Sequence, residues 1–268
     1  MARIRVVFSG ATGAVGRTML PAILASDQFE LVGAIGRKLV GVDVGLAVGL
    51  EKPAGIPIAA DLRSALDGRT ADVLIDFSTA EAAAANCRTA VEMGIAVLLG
   101  TTAVDRAAIE EISHLAEERG VGVFLAPNLT IVGQLMFRCA EMLRPYFGDV
   151  EIVEMHNSAK RDAPSGTALE TAHRINATPA PAPTKDQTSR GIPEARGGLV
   201  GDVHVHSVRL PSFYSRHEVF FAQPGQMLTI VCDQFTTEPL IGPTLKAARL
   251  LLAERGVVRD LPGLFDPD

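Results

Sequence analysis

Glycines at positions 10, 13 and 16, in the run Val6-Val7-Phe8-Ser9-Gly10-Ala11-Thr12-Gly13-Ala14-Val15-Gly16-Arg17, constrain this chain more than any other feature. The β-branched run before them reads as a strand and the stretch after them as a helix, so they form a strand–turn–helix unit. In that setting Gly10 permits the tight turn, Gly13 lets the backbone approach a pyrophosphate, and Gly16 lets the helix pack closely. The helix N-terminus then turns its N–H groups and dipole toward phosphate. The candidate nucleotide contacts here are Gly10, Ala11, Thr12, Gly13, Ala14 and Val15. A purely structural glycine turn is the competing reading.

The same rhythm continues downstream. Apolar runs at 31–34, 73–77, 96–99 and 122–125 alternate with helical stretches at 15–25, 80–93 and 106–119. Near-continuous runs such as Val73-Leu74-Ile75 and Val97-Leu98-Leu99 suit strands covered on both faces by βαβ crossovers. The fold class expected is α/β, a Rossmann-like doubly wound parallel sheet. The glycine-rich segment 38–57 breaks the rhythm and is expected to be a flexible loop at the cofactor edge.

After Asn128 the pattern changes. A helix over 130–143 is stopped by Pro145, and a strand over 150–156 leads into an Asp-Ala-Pro-Ser-Gly-Thr-Ala turn and a helix over 167–174. The Pro- and Gly-rich stretch 177–198 reads as an extended loop. Runs at 203–210, 218–222 and 227–233, parted by Pro-Ser and Gln-Pro-Gly-Gln turns, predict an antiparallel meander. A last helix over 239–254, with an apolar stripe, is expected to pack back on the first domain. The division expected is a dinucleotide-binding domain at 1–128 plus 237–268. An inserted α+β domain at 129–236, with an open mixed or antiparallel sheet, would bind substrate and oligomerise.

Three segments carry candidate ligand chemistry. Where an acid would bind an NAD ribose, the chain has Ala34-Ile35-Gly36-Arg37-Lys38. Two cations there suit a 2′-phosphate, so NADPH is favoured with NADH possible; solvated loop charges are the alternative. Gly100-Thr101-Thr102 and Ala126-Pro127-Asn128-Leu129 fall beyond the carboxyl ends of strands, where ligands bind in open α/β sheets. They either border the nicotinamide or are ordinary turns. The segment from Glu154 to Ala168 brings together His156, Asn157, Lys160, Ser165, Gly166 and Thr167. Ser165, Gly166 and Thr167 open a helix and offer N–H and hydroxyl donors to a carboxylate, and Lys160 is a countercharge or proton donor. The blander reading makes Ser165 a cap, His156 a satisfied strand residue and Lys160 a solvated charge. His204 and His206 share a strand face, but no third ligand has suitable spacing, and no metal is assigned.

Composition excludes other classes. Lys and Arg number 25 against 31 Asp and Glu, a net charge of −6 with no basic run, so neither a nucleic acid nor a membrane surface is the expected partner. Cys87, Cys139 and Cys232 form no CxxC pair, which suits a reducing compartment. Arg3 and Arg5 before Val6 imitate a secretory leader, but the apolar run ends at Ser9 and Gly10. A cytoplasmic location is expected.

With Glu154-x-His156-x-x-x-Lys160-x-Asp162-Ala163-Pro164-Ser165-Gly166-Thr167-Ala168 in place, the chain resembles the 4-hydroxy-tetrahydrodipicolinate (dihydrodipicolinate) reductases of bacterial lysine and diaminopimelate biosynthesis. The glycine turn, Gly100-Thr101-Thr102, Ala126-Pro127-Asn128, Ser207-Val208-Arg209-Leu210-Pro211 and Pro224-Gly225-Gln226 extend the resemblance over nearly the whole chain. It implies a homotetramer assembled through the inserted sheets, and hydride transfer from NADPH or NADH to a small anionic cyclic imine. It also implies His156 and Lys160 as the acid–base pair and Gly166 and Thr167 on a substrate carboxylate. Gly10 to Val15, Arg37, Gly100 to Thr102 and Ala126 to Leu129 would then lie on the cofactor. The sequence departs from the family in three places. Asn157 stands where a second histidine is usual, Leu129 where an aromatic is common, and Ala14-Val15 where an Arg-Met pair is found. These leave room for a related reductase of another anionic imine, or for an NADPH-binding sensor without turnover.

Overall fold

The apolar run ahead of the first glycine forms β1 (Ile4–Ser9), and α1 (Ala14–Leu24) follows the turn. The computed structural model of the chain describes residues 2–102, 104–184 and 191–265. Next in order are β2 (Phe29–Ile35), α2 (Val44–Ala47), β3 (Ile58–Ala59), α3 (Leu62–Leu66), β4 (Val73–Asp76), α4 (Ala80–Glu92), β5 (Ala96–Leu99), α5 (Arg106–Arg119) and β6 (Gly122–Leu125). Then come α6 (Ile131–Leu143), β7 (Asp149–His156), α7 (Gly166–Ala177), β8 (Gly198–Val200), β9 (Val203–Arg209), β10 (Ser215–Gln223) and β11 (Gln226–Gln234). The chain ends with α8 (Ile241–Leu251) and β12 (Gly256–Val258). It divides into two compact units, Met1–Leu129 with Thr237–Asp268, and Thr130–Thr236.

In the first unit seven strands lie in the order β12-β6-β5-β4-β1-β2-β3, and every neighbouring pair is parallel. Alternation splits each strand between two cores. Val6 and Phe8 of β1 pack with α1 and α8 through Met19, Leu20, Ala248 and Leu251. Val7 faces the other way, toward Leu66, Ala83, Cys87 and Ile112 of α3, α4 and α5. Both faces are covered, as the apolar runs require. Because β1 has β2 on one side and β4 on the other, the chain reverses its winding there, which opens a crevice above their carboxyl ends.

The segment 38–57 is folded, contrary to the flexible loop expected. The Asp43 carboxylate accepts the backbone N–H groups of Gly45, Leu46, Ala54, Gly55 and Ile56 at 2.7–3.3 Å. One side chain thereby supplies the order that a glycine-rich sequence lacks.

The second unit has a five-stranded sheet in the order β11-β10-β7-β9-β8, with α6 and α7 on one face. The expected meander is corrected here. β7 lies between β9 and β10, and runs parallel to β9 and antiparallel to β10, so of the three runs expected to form the meander only β10 and β11 pair with each other; β9 instead forms a hairpin with β8, and the sheet is mixed. Residues 185–190 of the expected extended loop lie outside the described residues; beyond them Pro193–Arg196 make a single 3₁₀ turn before β8.

Candidate active site

The first unit carries a cavity of about 470 Å³ at the crevice, lined by Ser9, Gly10, Thr12, Gly13, Arg37 and Phe77 among others. Gly10 has φ +93°, and a Cβ there would meet the Phe77 carbonyl oxygen at 2.2 Å. A Cβ on Gly16 would meet the Gly10 oxygen at 2.4 Å, so neither position admits a side chain. Gly13 precedes α1 without any side-chain cap, which leaves the first-turn N–H groups, those of Ala14 and Val15 included, to an outside acceptor. Ala11 is buried and Thr12 lines the cavity. Arg37 and Lys38 stand exposed at its edge.

The remaining cofactor candidates sit at neighbouring strand ends. Gly100, Thr101 and Thr102 follow β5, and Ala126, Pro127 and Asn128 follow β6. Leu129 is an exception, since its side chain is buried in the hydrophobic core. A buried residue that the sequence reading missed organises this edge. Asp76, at the end of β4, accepts from the Ser78 amide at 3.0 Å, the Ser78 hydroxyl at 2.8 Å and the Thr101 hydroxyl at 2.6 Å. It ties the turns after β4 and β5 together. The signal available was positional: β4 is next to β1, so its carboxyl end borders the crevice.

The second unit builds its site by letting a core row turn polar. On β7 the even positions are buried, and Val150 and Ile152 belong to the core under the helices. Glu154 and His156 continue that row, 0% and 9% exposed. Register supplies their neighbours. Glu154 is paired with His217 on β10 and Ser207 on β9, and His156 with Ser215 and Arg209.

These side chains form one network. The Glu154 carboxylate accepts a short hydrogen bond from His156 Nδ1. It also takes Arg209 Nη1 at 3.0 Å, Arg209 Nη2 at 2.7 Å and the Ser165 amide at 3.3 Å. Burial pushes this carboxyl up, but hydrogen bonds from His156, Arg209 and Ser207, with the charge of His156, outweigh it and hold the pKa at about 2. Ser215 Oγ lies 3.1 Å from His156 Nε2. Ser165 caps α7 by accepting the Ala168 amide at 3.2 Å, and its hydroxyl also shares a hydrogen bond with His217 Nε2 at 3.2 Å. His217 packs edge-on against His156 with ring centroids 5.3 Å apart. Burial first, then the His156 charge, holds the His217 pKa at about 3, so it is neutral.

The other expected residues flank this network. Lys160 is half-buried and its ammonium pairs with Asp162 at 2.9 Å, while the Asp162 carbonyl accepts Arg209 Nη2 at 2.6 Å. Gly166 and Thr167 form the first turn of α7. The Asn157 amide donates to the Pro211 carbonyl at 2.7 Å and accepts from the Ala159 amide at 3.0 Å, so its polar atoms hold the turn. His206 pairs with Glu151 at 3.0 Å. Among the described residues the metal-type cluster is Glu154, His156 and His217, with ligand atoms within 4.8 Å of one another. Its carboxylate is already engaged by Arg209 and His156, which makes it a hydrogen-bonded network. Glu154, Arg209, Ser215 and His217 were not assigned roles from sequence, because cross-strand register between distant segments is invisible there.

Comparison with known proteins covers both units. Family models described as dihydrodipicolinate reductase, N-terminus, and dihydrodipicolinate reductase, C-terminus, match residues 4–129 and 129–263. A 4-hydroxy-tetrahydrodipicolinate reductase of Moorella thermoacetica is 39% identical over 99% of each chain. One of Desulfitobacterium hafniense is 39% identical over 93% of this chain and 94% of its own. Among solved structures, a dipicolinate-bound dihydrodipicolinate reductase from Paenisporosarcina sp. TG-14 superposes with a TM-score of 0.72 at 27% identity, covering 96% of this chain and 98% of its own.

Proposed function

The chain belongs to the dihydrodipicolinate reductase family, and from that premise we propose that it reduces 4-hydroxy-tetrahydrodipicolinate, by way of dihydrodipicolinate, to tetrahydrodipicolinate in lysine and diaminopimelate biosynthesis. It is an oxidoreductase dependent on a reduced nicotinamide dinucleotide. The first unit fits that group: the Gly10 cradle excludes a side chain, and the uncapped start of α1 leaves N–H donors for its phosphates. Exposed Arg37 and Lys38, with no acid at that strand end, support a preference for NADPH over NADH. When bound, the reduced dinucleotide supplies the hydride.

The second unit's residues do the rest. A dianionic imine needs cations, N–H donors and an acid. The first turn of α7, at Gly166 and Thr167, receives one carboxylate, and Lys160 opposes the other charge or gives a proton. His156 exchanges protons at Nε2, since a carboxylate occupies its Nδ1. Ser165 and Asn157 support the pocket, their polar atoms being used within the protein. We assign the chain to the cytoplasm; no helix among the described residues is long and apolar enough to cross a membrane.

The observation that carries this reading is the His156 imidazole, held by a buried carboxylate beside the N-terminus of α7. The test makes the substrate in situ from pyruvate and aspartate semialdehyde with the preceding synthase and follows oxidation of NADPH and of NADH. Rapid oxidation that disappears in His156→Ala is expected. A folded, NADPH-binding protein that oxidises neither would instead be a reductase of another anionic imine or a sensor.

A further inference from the structure

The row of β7 that points under the helices is aliphatic at Val150 and Ile152 and then abruptly charged at Glu154. A buried ion pair is a poor way to gain stability, because desolvation offsets most of the attraction, and an aliphatic residue there would continue the core. Something other than stability accounts for the carboxylate.

Its partners say what. Three separate segments converge on Glu154: its strand neighbour His156, Arg209 from β9, and the Ser165 amide at the entrance to α7. Arg209 also holds the Asp162 carbonyl, so the turn from Asp162 to Ser165 is fixed at both ends to the same ion pair. An ionised carboxylate only accepts, so the shared hydrogen on His156 must sit on Nδ1. Nε2 then takes the Ser215 hydroxyl hydrogen in the resting state and is the nitrogen left to carry a proton to a ligand. With the opposite tautomer, Nδ1 and the carboxylate would both be acceptors at hydrogen-bond distance, an arrangement with no proton between them.

We propose that Glu154 is the positioning residue of this site: it fixes His156 as the Nδ1–H tautomer and binds that imidazole and the start of α7 into one rigid unit, with Arg209 as its counter-ion. The proposal rests on His156 as the acid–base group of the reductase reading. Glu154 does not touch the imine; it determines which nitrogen of His156 does, and ties the proton-carrying ring to the helix start that receives the carboxylate. An amide in its place can still accept from the Ser165 amide and Arg209 Nη2 through its one oxygen, but where the second oxygen stood it has an N–H, which gives up the Arg209 Nη1 bond, turns toward Nδ1 and reverses the tautomer.

The first measurement is ¹⁵N NMR of the histidine-labelled wild-type protein, with the His156 signals identified by their loss in His156→Ala. The neutral ring should carry its hydrogen on Nδ1. A neutral ring protonated on Nε2 overturns the proposal, and this test needs no variant at Glu154 to fold. The second is Glu154→Gln, for which the folded protein should show the Nε2–H tautomer and a kcat lower by about 100-fold or more, with a much smaller change in KM for the imine. Glu154→Asp, which restores the acceptor, should recover part of kcat. A merely structural carboxylate would lower the melting temperature and leave the tautomer and kcat of the folded fraction unchanged, which overturns the proposal. If His156→Ala keeps full turnover, the acid–base assignment itself fails. If His156→Ala is dead while Glu154→Gln turns over within threefold of wild type, only the role of Glu154 fails.

Discussion

His217 is 2% exposed, and its ring nitrogen is committed to the Ser165 hydroxyl, so protonation inside the fold is opposed by burial and by the neighbouring His156 charge. Its pKa falls from 6.5 to about 3, whereas in the unfolded chain it takes a proton at its ordinary value. The unfolded state therefore binds the extra proton between pH 6.5 and 3, and folding stability drops as the pH falls through that window. Glu154 adds a second loss lower down, as its carboxylate, ionised to about pH 2 in the fold, is protonated from about 4.5 in the unfolded chain. His217→Gln keeps a partner for Ser165 but cannot titrate. Urea unfolding across pH should show it flatter than wild type between pH 6.5 and about 3, and parallel to it below, where the Glu154 loss is common to both; curves parallel throughout would mean His217 is not the buried neutral base described. Arg37 bears on a different ligand. Exposed at the cavity edge, it should raise the KM for NADPH by about tenfold when changed to Ala and leave that for NADH nearly unchanged. Steady-state kinetics with the two dinucleotides check this, and equal effects would remove the 2′-phosphate contact.

Between residue and molecule, the segment 38–57 shows how one side chain makes an element. Five amides converge on Asp43, so Asp43→Ala strands them and should cost about 1–3 kcal/mol. The loss should be local. Hydrogen exchange of amides 44–56 should accelerate while β1 and β4 stay protected, and uniform protection would show that the loop folds without its acceptor. This element also marks where sequence reading stops. The long periodic strands and helices of the first unit were legible, because each carries its own pattern of burial. Asp43 carries none, since its partners are backbone groups that every sequence has. The pieces β3, α3 and β12 are too short for a period to register. In the second unit the segments were legible but their order was not: nothing local says that β7 enters between β9 and β10. The site followed the same division. His156 and Lys160 lie within one short motif, while His217, Ser215 and Arg209 reach Glu154 and His156 only through register.

For the whole molecule, the unanswered question posed by the second unit is what covers the other side of its sheet. Helices α6 and α7 bury one face, and the alternation of each strand sends Val153, Met155, Val208, Phe220, Met227 and Val231 to the other. Met227 is 65% exposed and Val231 49%, on β11, a long edge strand. An open apolar face bordered by an unpaired edge is an aggregation hazard unless another chain covers it. The four-subunit assembly through the inserted sheets, which the family resemblance implies, would cover this face sheet against sheet. Charged pairs on the same face, Arg216 with Glu218 and Asp233, would set the register of such a contact rather than oppose it. The double variant Met227→Lys, Val231→Lys places two like charges on that surface without touching the core under the helices. Light scattering should give a four-chain mass for the wild type and a smaller assembly for the variant, with circular dichroism unchanged. If the four-chain mass survives both lysines, the contact lies on another surface, and the exposure of this face would need a different explanation.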